Sequence, residues 1–351
     1  MTATSLAPRR PSGAAAHRVH RRSVARSTSV AIGLFIAVFV AFCVSISVGD
    51  FPIPLREVVP TIFGFGSDDA EFIVRTLRVP RALTGMLVGA SFAVSGAIFQ
   101  SLARNPLASP DIIGIDAGAS AAAVFCIVVL GMGAGATALG ALGGALVTAL
   151  SIYVLAWKGG VSPYRLVLVG IGIAALLTSI TQYLLTRAEI FEAQRAVVWL
   201  TGSLNGRGWE HVRSIGIADL VLLPFLIALI GPLRIMQLGD DAAKGLGVRI
   251  ERSRLLLVLV AVALAALSTA AAGPVVFVAF VSAPIARRMT GAPFAIGTAA
   301  LVGALLMLLS DLVARRLFAP TELPVGVVTG VVGAPYLLWL LARANPVWRG
   351  G

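Results

Sequence analysis

The stretch Arg234-Ile-Met-Gln-Leu238-Gly239-Asp240-Asp241-Ala242-Ala243-Lys244-Gly245-Leu246-Gly247-Val248-Arg249-Ile-Glu251-Arg252-Ser253-Arg254 separates two apolar runs, 215–230 and 255–271. It carries five basic residues, Arg234, Lys244, Arg249, Arg252 and Arg254, against the acids Asp240, Asp241 and Glu251. If the flanking runs cross a bilayer, the side on which this stretch lies orients every other crossing. Short basic loops stay on the cytoplasmic side of a membrane. The rest of the chain can be counted outward from that anchor.

Of 351 residues, 58% are hydrophobic and 13% charged, and the mean hydropathy is +0.94. A water-soluble domain keeps about a quarter of its residues charged, so a soluble globule is excluded. Eight runs are clear candidates for spans: 29–48, 82–99, 137–156, 166–185, 215–230, 255–271, 294–309 and 325–341. Two more, 117–130 and 275–285, are apolar but short. At about 1.5 Å per residue they reach only part way across a hydrocarbon core.

Charge decides whether the short runs count. With ten spans and both termini inside, 18 of the 28 Lys and Arg residues are cytoplasmic, the anchor stretch among them. The external arginines are then offset by acids such as Glu57, Glu189, Asp311 and Glu322. If neither short run crosses, the stretch 234–254 falls outside, against the positive-inside tendency. Ten spans are therefore expected. The organisation follows: a basic, disordered cytoplasmic tail over 1–28, a ten-helix domain over 29–341 and a cytoplasmic tail over 342–351. The tail holds six arginines and no acid precedes Asp50, which reads as lipid-facing retention charge and not as a nucleic-acid surface. No small-x-small cleavage site closes the run 29–48, so it is expected to remain as an uncleaved first span.

Several chemistries are disfavoured. Cys43 and Cys126 lie far apart in apolar runs and read as core residues. The three histidines fall outside every span, so no metal centre and no cofactor is expected. No Gly-rich Lys-Ser/Thr phosphate loop occurs, so ATP hydrolysis must come from another chain. No charged residue sits near the middle of a clear span. Asp219, the nearest, is expected about one turn inside the outer end, within reach of water. An ion-coupled transporter keeps an ionisable group deeper, and a membrane enzyme would need a paired acid and base. Glycines recur one helical turn apart at Gly85 and Gly89, Gly140 and Gly144, and Gly326 and Gly330. Such pairs let backbones approach within one bundle.

The hydrophilic punctuation is specific in content and order. Arg78-Val-Pro-Arg81 precedes the second span, and Arg104-Asn105-Pro106-Leu107-Ala108-Ser109-Pro110-Asp111 follows it. Then come Trp199-Leu-Thr-Gly-Ser203, the stretch 238–248, Gly273-Pro274, Ala283-Pro284-Ile285-Ala286-Arg287-Arg288, Asp311-Leu-Val-Ala-Arg315 and Glu322-Leu-Pro-Val-Gly326. This series resembles the FecCD-type permeases, which import iron–siderophores and vitamin B12, over roughly 29–341. Leu238-Gly239-Asp240-Asp241 and Glu251-Arg252-Ser253-Arg254 look most like the permeases for ferric enterobactin and similar chelates.

The resemblance implies an all-α, polytopic type II ABC importer permease fold. Its partners would be a second permease, identical or not, two cytoplasmic ATPases and an external substrate-binding lipoprotein. Leu238, Gly239, Asp240, Asp241, Ala242, Gly245, Leu246 and Gly247 would couple to the ATPase. Arg78, Arg81 and Arg315 would dock the lipoprotein, the first two from a stiff turn at Pro80. Pro163 and Tyr164 fall where the family places a cytoplasmic gate, although Tyr164 reads equally as an interfacial anchor. Ile285 departs from the family, which usually has a histidine there. The implied cargo is a ferric siderophore crossing the bacterial cytoplasmic membrane; vitamin B12 or haem are the alternatives within the family, and an ion-coupled secondary transporter is the alternative outside it.

Overall fold

A computed structural model describes residues 13–49, 51–66, 68–158 and 162–344. Among the described residues the regular elements are helices: α1 (Gly13–Ser47), α2 (Leu55–Ile62), α3 (Asp68–Glu71), a π-helical stretch (Phe72–Arg78), α4 (Val79–Ala103), α5 (Pro110–Ile113), α6 (Ile115–Val128), α7 (Ala134–Ala156), α8 (Pro163–Arg187), α9 (Ile190–Leu200), α10 (Trp209–Met236), α11 (Asp240–Gly245), α12 (Ile250–Ala272), α13 (Val278–Thr290), α14 (Ile296–Arg316) and α15 (Val325–Ala344). Helix is what this composition dictates, because in hydrocarbon every backbone amide must find its partner within the segment.

Seven of these are long and apolar enough to cross a bilayer, carried by α1, α4, α7, α8, α10, α12 and α14. The shorter α6, α13 and α15 coincide with the remaining expected spans. Helix α1 reaches back to Gly13, into the segment expected to be disordered. The terminal segments 1–12 and 345–351 lie outside the described residues.

Helix α4 is the hub. Of its apolar window 78% is buried, against 17% for α8 and for α10, where side chains such as Leu168, Leu176, Leu220 and Phe225 face outward. It packs on α10, α12, α13 and α14. The α4–α14 contact is backbone to backbone: Gly89 lies against the Gly303 carbonyl and Gly303 against that of Gly89, so no Cβ fits at either. Gly144 of α7 meets Gly118 of α6 in the same way. Gly85, Gly140 and Gly326 are also closed in by neighbours, so these glycines serve packing within the bundle, whereas Gly330 makes no close approach. Buried polar groups are used the same way: Ser95 donates to the Ala261 carbonyl at 2.6 Å and Gln100 to that of Phe280 at 2.9 Å. Ile285, the noted departure from the usual histidine, packs against the apolar core, and both cysteines are free and buried.

Two local readings are corrected. No turn forms at Pro80; helix runs from the π-helical stretch straight into α4. Proline is tolerated there because the Arg75 carbonyl, five residues back in the π-helical stretch, accepts instead from the Trp209 indole at 2.8 Å. Asp219 is not at a wet helix end. Helix α10 extends beyond the apolar run at both ends, and Asp219 is half-buried with both carboxylate oxygens accepting from the Ser91 hydroxyl of α4, at 2.8 and 2.9 Å.

Candidate functional site

At one end of the bundle, α11 stands between α10 and α12. Gly239 and Gly247 flank it with φ of +116° and +81°, conformations that only glycine adopts without strain. They let the chain leave α10, make one short helix and enter α12. Leu238 and Leu246 project from its two ends, 69% and 63% exposed, and Ala243 is buried beneath it. Asp241 and Lys244 sit on the same element, while Ala242 and Gly245 complete its turn.

Asp240 joins this element to the bundle. One carboxylate oxygen accepts from Arg104 at 2.9 Å and the other from Arg254 at 2.8 Å. Arg104 caps α4 in the left-handed conformation and also donates to the Met236 carbonyl of α10 at 2.8 Å. Arg254 lies in the first turns of α12 and is buried. One carboxylate therefore ties α11 to the hub helix and to α12. Burial pushes the Asp240 pKa up, but the hydrogen bond and charge of Arg254, with those of Arg104, outweigh it and leave it below the usual carboxylate value.

The opposite end gathers the arginines. Arg81 donates to Asp311 at 2.9 Å and to Glu322 at 3.1 Å, and Arg315 contacts the second Asp311 oxygen at 3.1 Å. Asp311 is 2% exposed. Arg315 also donates to the Ser45 hydroxyl at 2.7 Å, and Arg78 to the carbonyls of Ile46 at 2.7 Å and Phe51 at 2.6 Å. Arg78, Arg81, Arg315 and Arg316 line one cleft of ≈ 320 Å³. The three expected docking residues are thus brought together, and between them they fasten neighbouring elements: Arg78 holds the π-helical stretch to α1, Arg81 holds α4 to α14, and Arg315 holds α14 to α1. Sequence reading missed their internal partners, although Asp311 and Arg315 stand one helical turn apart, the spacing of an ion pair.

Tyr164 stands in the first turn of α8, 75% exposed. Pro163 is the first residue of that helix, and residues 159–161 before it lie outside the described residues. Near the arginine end, a cavity of ≈ 680 Å³ opens among α6, α7, α9 and the segments around Ser203 and Leu323. Arg195, Arg207, Asn205 and Trp199 line it; of these, only Trp199 belongs to a motif noted in the sequence. Among the described residues, no group of three or more His, Cys, Asp or Glu is placed to hold a metal ion.

The FecCD transport family matches residues 37–343. The chain belongs to that family. Among its relatives is the ferric enterobactin transport system permease protein FepG of Escherichia coli K12, 42% identical over 298 residues, covering 85% of this chain and 90% of the relative. The iron(3+)-hydroxamate import system permease protein FhuG of Bacillus subtilis 168 is 39% identical over 321 residues, 89% of this chain and 96% of the relative. A metal-chelate type ABC transporter solved in an inward-facing conformation superposes with a TM-score of 0.82 at 26% identity, over 90% of this chain and 99% of that one. The expected family and the all-helical fold are thereby established, and family membership fits a transport subunit in place of an enzyme.

Proposed function

We infer that the chain is the membrane-spanning permease of an ATP-binding-cassette importer that carries ferric siderophores across the bacterial cytoplasmic membrane by alternating access. The observation that carries this reading is the clamp at Asp240. An exposed short helix with a leucine at each end suits a cleft in a partner, and its one carboxylate grips the two helices that organise the bundle. A push on α11 is then passed through Arg104 to α4 and through Arg254 to α12. The partner is an ATPase, because the chain has no phosphate loop of its own; two such subunits and a second permease complete the importer.

In this reading α11, Lys158, Tyr164, Arg252 and both termini face the cytoplasm, and α6, α13 and α15 bring the crossings to ten. The cluster of Arg78, Arg81 and Arg315 faces outward and receives acidic side chains of a substrate-binding lipoprotein. Glu322, the more exposed of the two carboxylates there, is the one a docking glutamate displaces. Tyr164 narrows the inner mouth of the path. Iron crosses as the intact chelate. The two named relatives transport different chelates, and each is about as similar as the other.

One observation favours an ion-coupled transporter instead. Two helical carboxylates form no ion pair among the described residues: Asp219, held by Ser91, and the buried Asp116, which accepts from the Thr269 hydroxyl at 2.8 Å. Both partners are neutral hydroxyls, so neither acid is stabilised by a cation. The transport reading is tested by uptake of iron-labelled siderophores and of labelled vitamin B12 in cells lacking the chain. Loss of siderophore uptake alone supports it; loss of vitamin B12 uptake alone replaces the cargo.

A further inference from the structure

The ≈ 680 Å³ cavity is of the size that holds small ligands, about 300–1,000 Å³. Its polar lining is unbalanced. Arg207 is half-buried, with Nε on the Ser203 carbonyl at 3.3 Å and Nη1 3.0 Å from His211 Nε2. Arg195 donates to the Met132 carbonyl at 3.0 Å. Neither forms an ion pair among the described residues, and the one carboxylate on the cavity wall, Glu322, is engaged by Arg81. Burial lowers the Arg207 pKa, with Glu210 opposing, yet a guanidinium stays charged at neutral pH. Two cations thus face a cavity that also offers the amides of Gln194 and Asn205 and the indole of Trp199.

Ferric chelates differ in charge. A catecholate is a dianion, so its tris-complex with iron(III) is strongly negative, and carboxylate chelates are negative as well. Three hydroxamates cancel the metal charge, leaving a neutral complex. We propose that this cavity receives the ferric chelate as an anion, with Arg207 and Arg195 meeting its charge, so that catecholate or carboxylate chelates are carried in preference to neutral hydroxamate ones. The inference rests on the siderophore reading above and narrows its substrate class. Arg207 is the stronger contact, because a half-buried guanidinium gains more from a charge-assisted hydrogen bond than an exposed one.

The test is uptake of iron-labelled ferric tricatecholate and of a neutral cyclic ferric trihydroxamate by cells expressing the full importer. Arg195→Gln with Arg207→Gln should lower tricatecholate uptake about tenfold or more, the loss expected from charged hydrogen bonds, and leave trihydroxamate uptake within about twofold. Arg195→Lys with Arg207→Lys should retain most tricatecholate uptake, which a purely structural role would not predict. Unchanged tricatecholate uptake in the glutamine variant overturns the inference, as does an equal loss for both chelates or for the lysine variant. A wild type that carries only the neutral chelate overturns it while sparing the siderophore reading. A wild type that carries neither defeats both.

Discussion

Asp311 holds two guanidinium groups at once, and its environment sets what each contact is worth. It is almost fully buried, with Arg81 and Arg315 side chains 14% and 11% exposed. Removing one member of such a buried set leaves charge without a partner, at about 3–5 kcal/mol. Glu322 contacts the same Arg81 but is 36% exposed, and exposed pairs contribute about 0–1 kcal/mol. Thermal melts of the solubilised protein should therefore show Asp311→Asn strongly destabilised and Glu322→Gln nearly unchanged. A larger loss for Glu322→Gln would contradict this ranking. At the other end, the Asp240 pKa lies below its ordinary value. Its contribution is complete above the usual carboxylate range and disappears only as pH falls through the lowered value. Coupling should accordingly be flat in pH through neutrality, and Asp240→Asn, which leaves the buried Arg254 only Glu251 at 3.6 Å as an acidic partner among the described residues, should cost stability by about 1–3 kcal/mol while weakening the link between ATP hydrolysis and transport. The arginine cluster was legible as residue types at helix ends. The Asp311–Arg315 pair could be read from its one-turn spacing, but the contacts of Arg81 with Asp311 and Glu322 could not, because residues far apart in sequence leave no local pattern.

Helix α11 is the element on which the functional reading turns. Its flanking glycines hold positive φ, and a Cβ at Gly239 would meet no neighbour, so Gly239→Val would fail through backbone strain of about 1–3 kcal/mol and not through crowding. Leu246→Asp changes a side chain that touches little within this chain. It should leave the melting temperature unaltered and uncouple ATPase activity from uptake; normal uptake would remove α11 from the coupling role. Tyr164 is equally free of burial. If it narrows the path, Tyr164→Ala should raise leak of a small solute from proteoliposomes, and an unchanged leak would leave it a membrane-interface anchor. Most elements could be placed from apolar run length and glycine or proline punctuation alone. The Pro80 turn was misread because proline in a first helical turn and proline in a loop share one local signature. Asp219 was misplaced because α10 continues past its apolar run, where polar residues keep the helix but end the hydropathy signal.

For the whole molecule, the charge asymmetry that set the expected topology can be checked directly. Cysteine placed at 252, an exposed position beyond α11, should resist impermeant thiol reagents in intact cells; ready labelling from outside would invert the arrangement. The central claim is that the bundle is driven by ATP through α11, although Asp116 and Asp219 lie within its helices. The most direct measurement is uptake of a labelled ferric siderophore into proteoliposomes that contain the permease, its ATPase and its binding protein. Uptake should require ATP hydrolysis, persist when protonophores and sodium ionophores collapse all ion gradients, and survive Asp116→Asn and Asp219→Asn. Uptake that runs without ATP and stops when the gradients collapse would contradict the account.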